Sequence, residues 1–447
     1  MARAATSASQ LLVHPLSYVR QQRNWTHQDL VNVIARRLNT AARREKAWRW
    51  ERWGVVPDDP TQMALAAELG IPEETVRQRG WPHWLPAGPS VSVSTPWTAT
   101  GALALLDETA GSAVLDRRGF LTMGAGLATT VAEQWLGIEA PRLSAALQGG
   151  RIDRELVDCL EQRLPTLRRM DASLGGGSIR GLVDAELRLV TDLLAGGSYS
   201  TPTGQRLFTI AAELGRIAGW ASFDAGFHAA AERYWFTALR SAHAAEDRSA
   251  GANILKCMSL QRVDTGRPVE ALELASAARA GASGAPARVR AMLSTREARA
   301  HAVLGDATAC ERLLSQAETE MSLADDEPTP AWAAYFDQAE YCAQTAACYL
   351  LLQRHQAADQ WLARTLALQP DERSRDRATY LVWRADAMLN LGDIEHACAL
   401  VGQAVPDIAA ARSVRNQRRL IDIHGLLTRH QHPAVQQLDE QVRSLVS

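Results

Sequence analysis

The chain has 447 residues, 22% of them charged and 47% hydrophobic, with a formal net charge of −2. That length exceeds one ordinary domain and implies a small module joined to a larger body. Without a run of about eighteen purely apolar residues, a membrane span is excluded and a cytoplasmic location is expected. The six cysteines, at 159, 257, 310, 342, 348 and 398, have neither metal spacing nor a disulfide framework and read as reduced core residues of a cytosolic protein.

From the N-terminus, Leu16 and Val19 fall on one face of a first short helix. Thr26 followed by Asp29 predicts a capped second helix with apolar Leu30, Val31, Val33, Ile34 and Leu38. A third helix is expected over about 40–52, with Ala47 and Trp50 inward and Arg43, Arg44, Lys46, Trp48 and Arg49 outward; Trp53-Gly54 and a turn bearing Pro57 end it. A fourth, over 61–69, supplies Met63, Leu65, Ala66 and Leu69 and stops at Gly70. Between Arg20 and Arg52 there are nine basic residues against three acidic ones, about +6 in a chain of −2. Segregated charge of this kind favours a polyanionic partner for that module alone. The plain alternative is a solvated charged face.

Residues 86–100, rich in Pro, Ser and Thr, read as a flexible hinge. Asp116-Arg117-Arg118-Gly119-Phe120-Leu121 and the small apolar run that follows, 122–131, have the pattern of a twin-arginine export signal. Such signals act at an N-terminus, so the segment reads instead as a linker or docking helix.

From about Arg151 onward the pattern is a helical repeat array. Turns at Asp224, at Thr265-Gly266-Arg267-Pro268, at Leu304-Gly305-Asp306, at Leu352-Gln353-Arg354-His355 and at Leu391-Gly392-Asp393 recur about every 38 to 49 residues. The period is somewhat longer than the roughly 34-residue tetratricopeptide (TPR) unit but of its style. Ala271, Ala309, Ala358 and Ala397 follow the turns at similar places, where a larger side chain would wedge paired helices apart. Earlier helices are expected at 154–169, 179–194 and 204–220, broken at Gly175-Gly176-Gly177 and Gly196-Gly197, and the segment 421–445 is expected to cap the array. No strand pattern is present. The fold class is therefore all-α.

No Walker loop, dinucleotide fingerprint, nucleophile elbow, paired-carboxylate motif or metal-type histidine set is recognisable. The sequence thus points to no enzyme, no cofactor and no metal. Array aromatics such as Trp220, Trp235, Trp361 and Trp383 read first as inter-helix core and second as ligand contacts on a concave face.

Arg49-Trp50-Glu51-Arg52, the Pro57-led turn and the Ala/Leu-rich helix ending in Leu69-Gly70-Ile71-Pro72 resemble the XRE-type helix-turn-helix family over residues 14–86. With Gly80-Trp81-Pro82-His83-Trp84-Leu85-Pro86, the chain resembles the large actinomycete regulators that join this domain to TPR repeats, among them NsdA-like negative regulators of differentiation and antibiotic production. It departs from the family in a longer segment between Leu38 and Trp50, where Asn39-Thr40-Ala41 replaces the usual Gly-Val-Ser turn. The resemblance implies an N-terminal helix-turn-helix domain (14–86), a linker with a docking helix (87–150) and a TPR-like α-solenoid (151–447). It implies a transcriptional repressor that binds double-stranded DNA as a homodimer and takes a peptide or small-molecule effector, or a protein partner, on the array's concave face. Thr26, His27, Gln28, Arg43, Arg44, Lys46, Trp48 and Arg49 are the candidate DNA contacts. An interaction scaffold using a degenerate helix-turn-helix for protein contacts is the competing class.

Overall fold

The computed structural model describes residues 15–23, 25–40, 44–52, 55–71, 73–79, 81–82, 84–85, 99–113, 149–174, 176–325, 327–370, 373–411 and 413–446. Among these the regular elements are helices, joined by one isolated parallel bridge between Arg151 and Ser198. No helix of the described residues is long and apolar enough to cross a membrane. All six cysteines are free, five of them buried and Cys159 half-buried.

The first five helices are α1 (Pro15–Gln22), α2 (His27–Leu38), α3 (Arg44–Arg52), α4 (Asp59–Leu69) and α5 (Glu73–Arg79). Thr26 and Asp29 form the capping box expected at the start of α2, and left-handed Asn39 (φ 52°) ends that helix. Helix α4 begins two residues earlier than its apolar pattern suggests. The Asp58 carboxylate accepts from the Thr61 amide and Pro60 suits the first turn, so the cap sets the start. Leu16, Val19, Leu30, Val31, Ile34, Trp50, Leu65 and Val76 share one core with Trp81, Trp84 and Leu85. The Trp84 indole donates to Gln62 Oε1 at 3.0 Å, and Gln62 Nε2 donates to the Pro57 carbonyl at 2.9 Å. This buried chain ties the residues after α5 to the head of α4.

Helix α6 (Ala99–Ala113) takes in the last two residues of the expected hinge. The rest of that hinge and the double-arginine segment 116–131 lie outside the described residues. Ala102 and Leu106 of α6 are fully buried in a core shared with α7 (Arg154–Leu174), α8 (Gly176–Gly196) and α9 (Thr201–Asp224). All three of these helices run past their expected ends. Gly176 and Gly177 fall inside the first turn of α8 instead of breaking it.

Six helix pairs follow in chain order. They are α9 with α10 (His228–Ala244), α11 (Arg248–Asp264) with α12 (Pro268–Gly281), and α13 (Ala287–Val303) with α14 (Ala307–Ser322). Next come α15 (Gln338–Leu351) with α16 (His355–Leu368), α17 (Ser374–Asn390) with α18 (Ile394–Ala411), and α19 (Val414–Leu427) with α20 (Pro433–Val446). From α9 to α19, the first helix of each pair also packs on the first helix of the next. Val435, Leu438 and Val442 of α20 close the end of the array in the core of α17–α19.

Inside five of these pairs the turn places a left-handed residue: Gly226, Gly266, Gly305, Gln353 and Gly392, at φ between 58° and 85°. Five positions later stand Ala231, Ala271, Cys310, Ala358 and Ala397, all fully buried. The expected alanine at 309 is one residue out of this row and only half-buried, because Cys310 fills the slot. At Gly219 a Cβ would come within 2.3 Å of the Trp235 indole nitrogen, which donates to the Arg216 carbonyl at 3.1 Å. Only glycine lets α9 and α10 approach so closely.

The array curls back on itself. Helix α7 packs on α17 and α18, where Arg375 Nη1 donates to the Asp171 carbonyl at 2.8 Å. Ser413 Oγ donates to Asp224 Oδ1 at 2.8 Å, joining the start of α19 to the end of α9.

Candidate nucleic-acid interface

Helix α3 has a strict division of faces. Ala47 is fully buried and Trp50 is 6% exposed, whereas Arg44, Glu45, Lys46, Trp48 and Arg49 are exposed. A spacing of three residues between the inward positions, on a helix of 3.6 residues per turn, leaves the basic side chains on the outer surface. Trp48 is 39% exposed, an uncommon position for so large an apolar side chain.

The helix is fixed from beneath by Glu51, the acidic member of the Arg49–Arg52 motif. Its carboxylate accepts from Ser17 Oγ at 2.8 Å and from Arg20 Nε at 2.8 Å, and lies 3.2 Å from His27 Nε2. Arg20 also donates through Nη1 to the Trp25 carbonyl at 2.9 Å. One carboxylate at the C-terminal end of α3 therefore holds α1, the link to α2 and the first residue of α2 in a set orientation. Charge-assisted bonds of this kind are the stronger class of protein hydrogen bond.

The candidate contacts divide accordingly. Arg44, Lys46, Trp48 and Arg49 come together on the outer face of α3, while Arg43 lies outside the described residues. Thr26, His27 and Gln28 stand at the start of α2 with their polar groups engaged locally. The Thr26 hydroxyl and amide both donate to Asp29 Oδ2, at 2.7 and 2.8 Å, and hold the Asp29 carboxyl below its usual range; the hydroxyl also accepts from the Asp29 amide at 3.1 Å. Gln28 Nε2 donates to Asn32 Oδ1 at 2.9 Å. Arg37, exposed on α2, is matched by Glu68 at 2.8 Å. Bonds from Thr61 and, to a smaller extent, the charge of Lys46 hold Asp58 below the usual carboxylate range, placing one acidic group near the edge of the basic face.

A second concentration of charge lies inside the array. Glu213 sits between Arg168 (2.6 Å) and Arg216 (2.8 Å). Burial raises its pKa, but the two guanidinium groups outweigh that and bring it down to about 2. Arg233, Arg240, Lys256, Arg296, Arg299 and Arg375 are all buried as well. Sequence gave little sign of this, because each arginine taken singly on an Ala-rich helix looks like a solvated residue.

The chain matches no protein-family model and no curated protein.

Proposed function

We propose that this protein is a transcriptional regulator in which residues 14–86 form an XRE-type helix-turn-helix domain and the helical pairs from 151 onward form a TPR-like array. The observation that carries the reading is the face of α3: Arg44, Lys46, Trp48 and Arg49 stand exposed together while Ala47 and Trp50 anchor the helix from below. Arginine presented on the outer side of a short, rigidly held helix suits bidentate contact with guanine in the major groove. The local excess of about +6 supplies the phosphate attraction that every such complex needs. Capping uses the hydroxyl of Thr26, and His27 faces Glu51, so these two orient α2 and α3; base contacts fall to α3.

One such domain covers a single half-site, and useful specificity normally needs two half-sites about one helical turn apart. The array is the surface through which two copies hold that spacing, and its interior is where an effector acts on it. The test is to incubate sheared genomic DNA with the full chain and sequence what is retained. An inverted-repeat sequence is expected. Retention without sequence preference, or none, would replace this reading with that of a protein-interaction scaffold.

A further inference from the structure

Among the described residues, Arg299, Arg415 and Arg419 meet inside the array, with Arg296 beside Arg299, and the facing carboxylates are too few to match them. Arg296 and Arg299 project from α13 and are each 7% exposed. Arg415 and Arg419 project from α19, with side chains 16% and 19% exposed. The guanidinium carbons of Arg299 and Arg419 lie 5.2 and 5.4 Å from the ring centre of half-buried Trp383, and that of Arg415 lies 5.1 Å from Trp220. The facing acids are Asp224, at the end of α9, and Asp264, at the end of α11. Among the described residues, four guanidinium groups against two carboxylates leave an excess of two positive charges. Arg375 on the neighbouring α17 adds nothing to it, being held by Asp171.

The existing pairings are loose. Arg415 stands 3.4 Å from Asp224 and 3.9 Å from Asp264, and Arg419 stands 3.6 Å from Asp264. Charge-assisted bonds normally close to about 2.7–2.9 Å. Asp224 Oδ1 already accepts from Ser413 at 2.8 Å. Among the described residues, the hydrogen-bond partner of Arg299 is Gln344 Oε1, at 3.5 Å. Nε and Nη1 of Arg296, and Nε of both Arg299 and Arg415, are buried without a hydrogen-bond partner. Burial together with the neighbouring Arg296 brings Arg299 down to about 10, and burial together with Arg415 brings Arg419 down to about 9. Both remain charged at neutral pH. Buried like charges with unsatisfied donors are costly to keep.

We infer that Arg296, Arg299, Arg415 and Arg419 form a binding site for a small oxyanion carrying two or more negative charges. Planar guanidinium forks match phosphate and carboxylate oxygens bidentately, so the ligand is a phosphate ester or a polycarboxylate. The site joins the middle of the array to its end across the coil. Its occupant therefore ties α13 to α19, the kind of bridge through which an effector changes array geometry. The inference deepens the effector-binding part of the reading above and does not depend on DNA binding.

The test is calorimetric titration of the full chain, in low-salt buffer free of phosphate, with sodium pyrophosphate and separately with citrate. The melting temperature is measured alongside. One of the two anions is expected to bind one per chain, with a Kd below about 1 mM, and to raise the melting temperature as its concentration rises. Pyrophosphate binding alone identifies the phosphate class, and citrate binding alone the carboxylate class. Arg296→Met is expected to weaken binding about tenfold or more while melting at or above the wild-type temperature without anion, since it removes a buried like charge. Arg296→Lys keeps the charge without the fork and is expected to fold and to bind more weakly than wild type. No binding of either anion would overturn the inference, as would unchanged affinity in both Arg296 variants or an Arg296→Met protein that melts well below wild type. Because no DNA is present, these failures leave the regulator reading standing, and anion binding by a protein that retains no DNA sequence would sink only that reading.

Discussion

Replacing Glu51 with Gln isolates the feature that orients the exposed basic helix. The Glu51 side chain is 8% exposed and its principal partner Arg20 is 18% exposed. Removing one member of a fully buried ion pair costs about 3–5 kcal/mol. Here Arg20 keeps some solvent and its bond to the Trp25 carbonyl, and glutamine keeps one acceptor oxygen for Ser17 or Arg20, so the expected loss is about 2 kcal/mol. The loss is local to α1, α2 and α3. At 1.36 kcal/mol per tenfold, amides of α1 and α3 in the full chain should exchange with deuterium about 30 times faster, with those of the array unchanged. The same variant should bind DNA more weakly although no groove-facing side chain has been altered. Unchanged exchange in α1 and α3 would refute the role assigned to this carboxylate.

Trp50→Ala should cost about 3–5 kcal/mol, as for other buried aromatic deletions, and abolish the fold of the first five helices; an N-terminal transition like wild type in urea would mean that α3 is wrongly phased. Gln353 holds a left-handed turn (φ 58°) at the place where four other pairs have glycine. Gln353→Gly should therefore stabilise the array by about 0.5–1 kcal/mol in denaturant melts, whereas Gly305→Ala, with open space for its Cβ but φ 80°, should cost about 1 kcal/mol. Equal effects at the two positions would contradict the turn assignment. Glu213 is held at about 2 against an ordinary value of 4.5. A lowered acid contributes stability that is complete above the ordinary value and lost as pH falls toward the folded one. The wild type should thus lose about 3 kcal/mol between pH 4.5 and 2 relative to Glu213→Gln, and parallel acid melts of the two proteins would disprove it.

Much of the helical layout was legible because it depends on local signals. The inward phase of Ala47 and Trp50 follows from 3.6-residue periodicity, the box at Thr26 and Asp29 from capping chemistry, and the turns at Gly266, Gly305 and Gly392 from the need for positive φ. The miscounted slot at Ala309 has a simple cause: the position needs a small side chain, not alanine as such, and Cys310 is small enough. Two features were not legible. Glu51 works through Ser17, Arg20 and His27, which are 34, 31 and 24 residues away. The interior arginines come from helices more than a hundred residues apart, and only the return of the coil brings Arg299 near Arg415 and Arg419. Nothing in the local pattern of any one helix signals that meeting.

The central claim is that the outer face of α3 reads DNA. The most direct measurement is fluorescence anisotropy with the DNA sequence retained from the genome, comparing wild type with Arg43→Ala/Arg44→Ala/Arg49→Ala across about 50–200 mM salt. Each good bidentate arginine contact is worth about 1–3 kcal/mol of discrimination. The triple variant should therefore lose specific affinity by about a hundredfold or more, retain its thermal unfolding curve because the described members of the set are exposed, and show a shallower salt dependence. Equal affinity and equal salt slope in the two proteins would contradict the account.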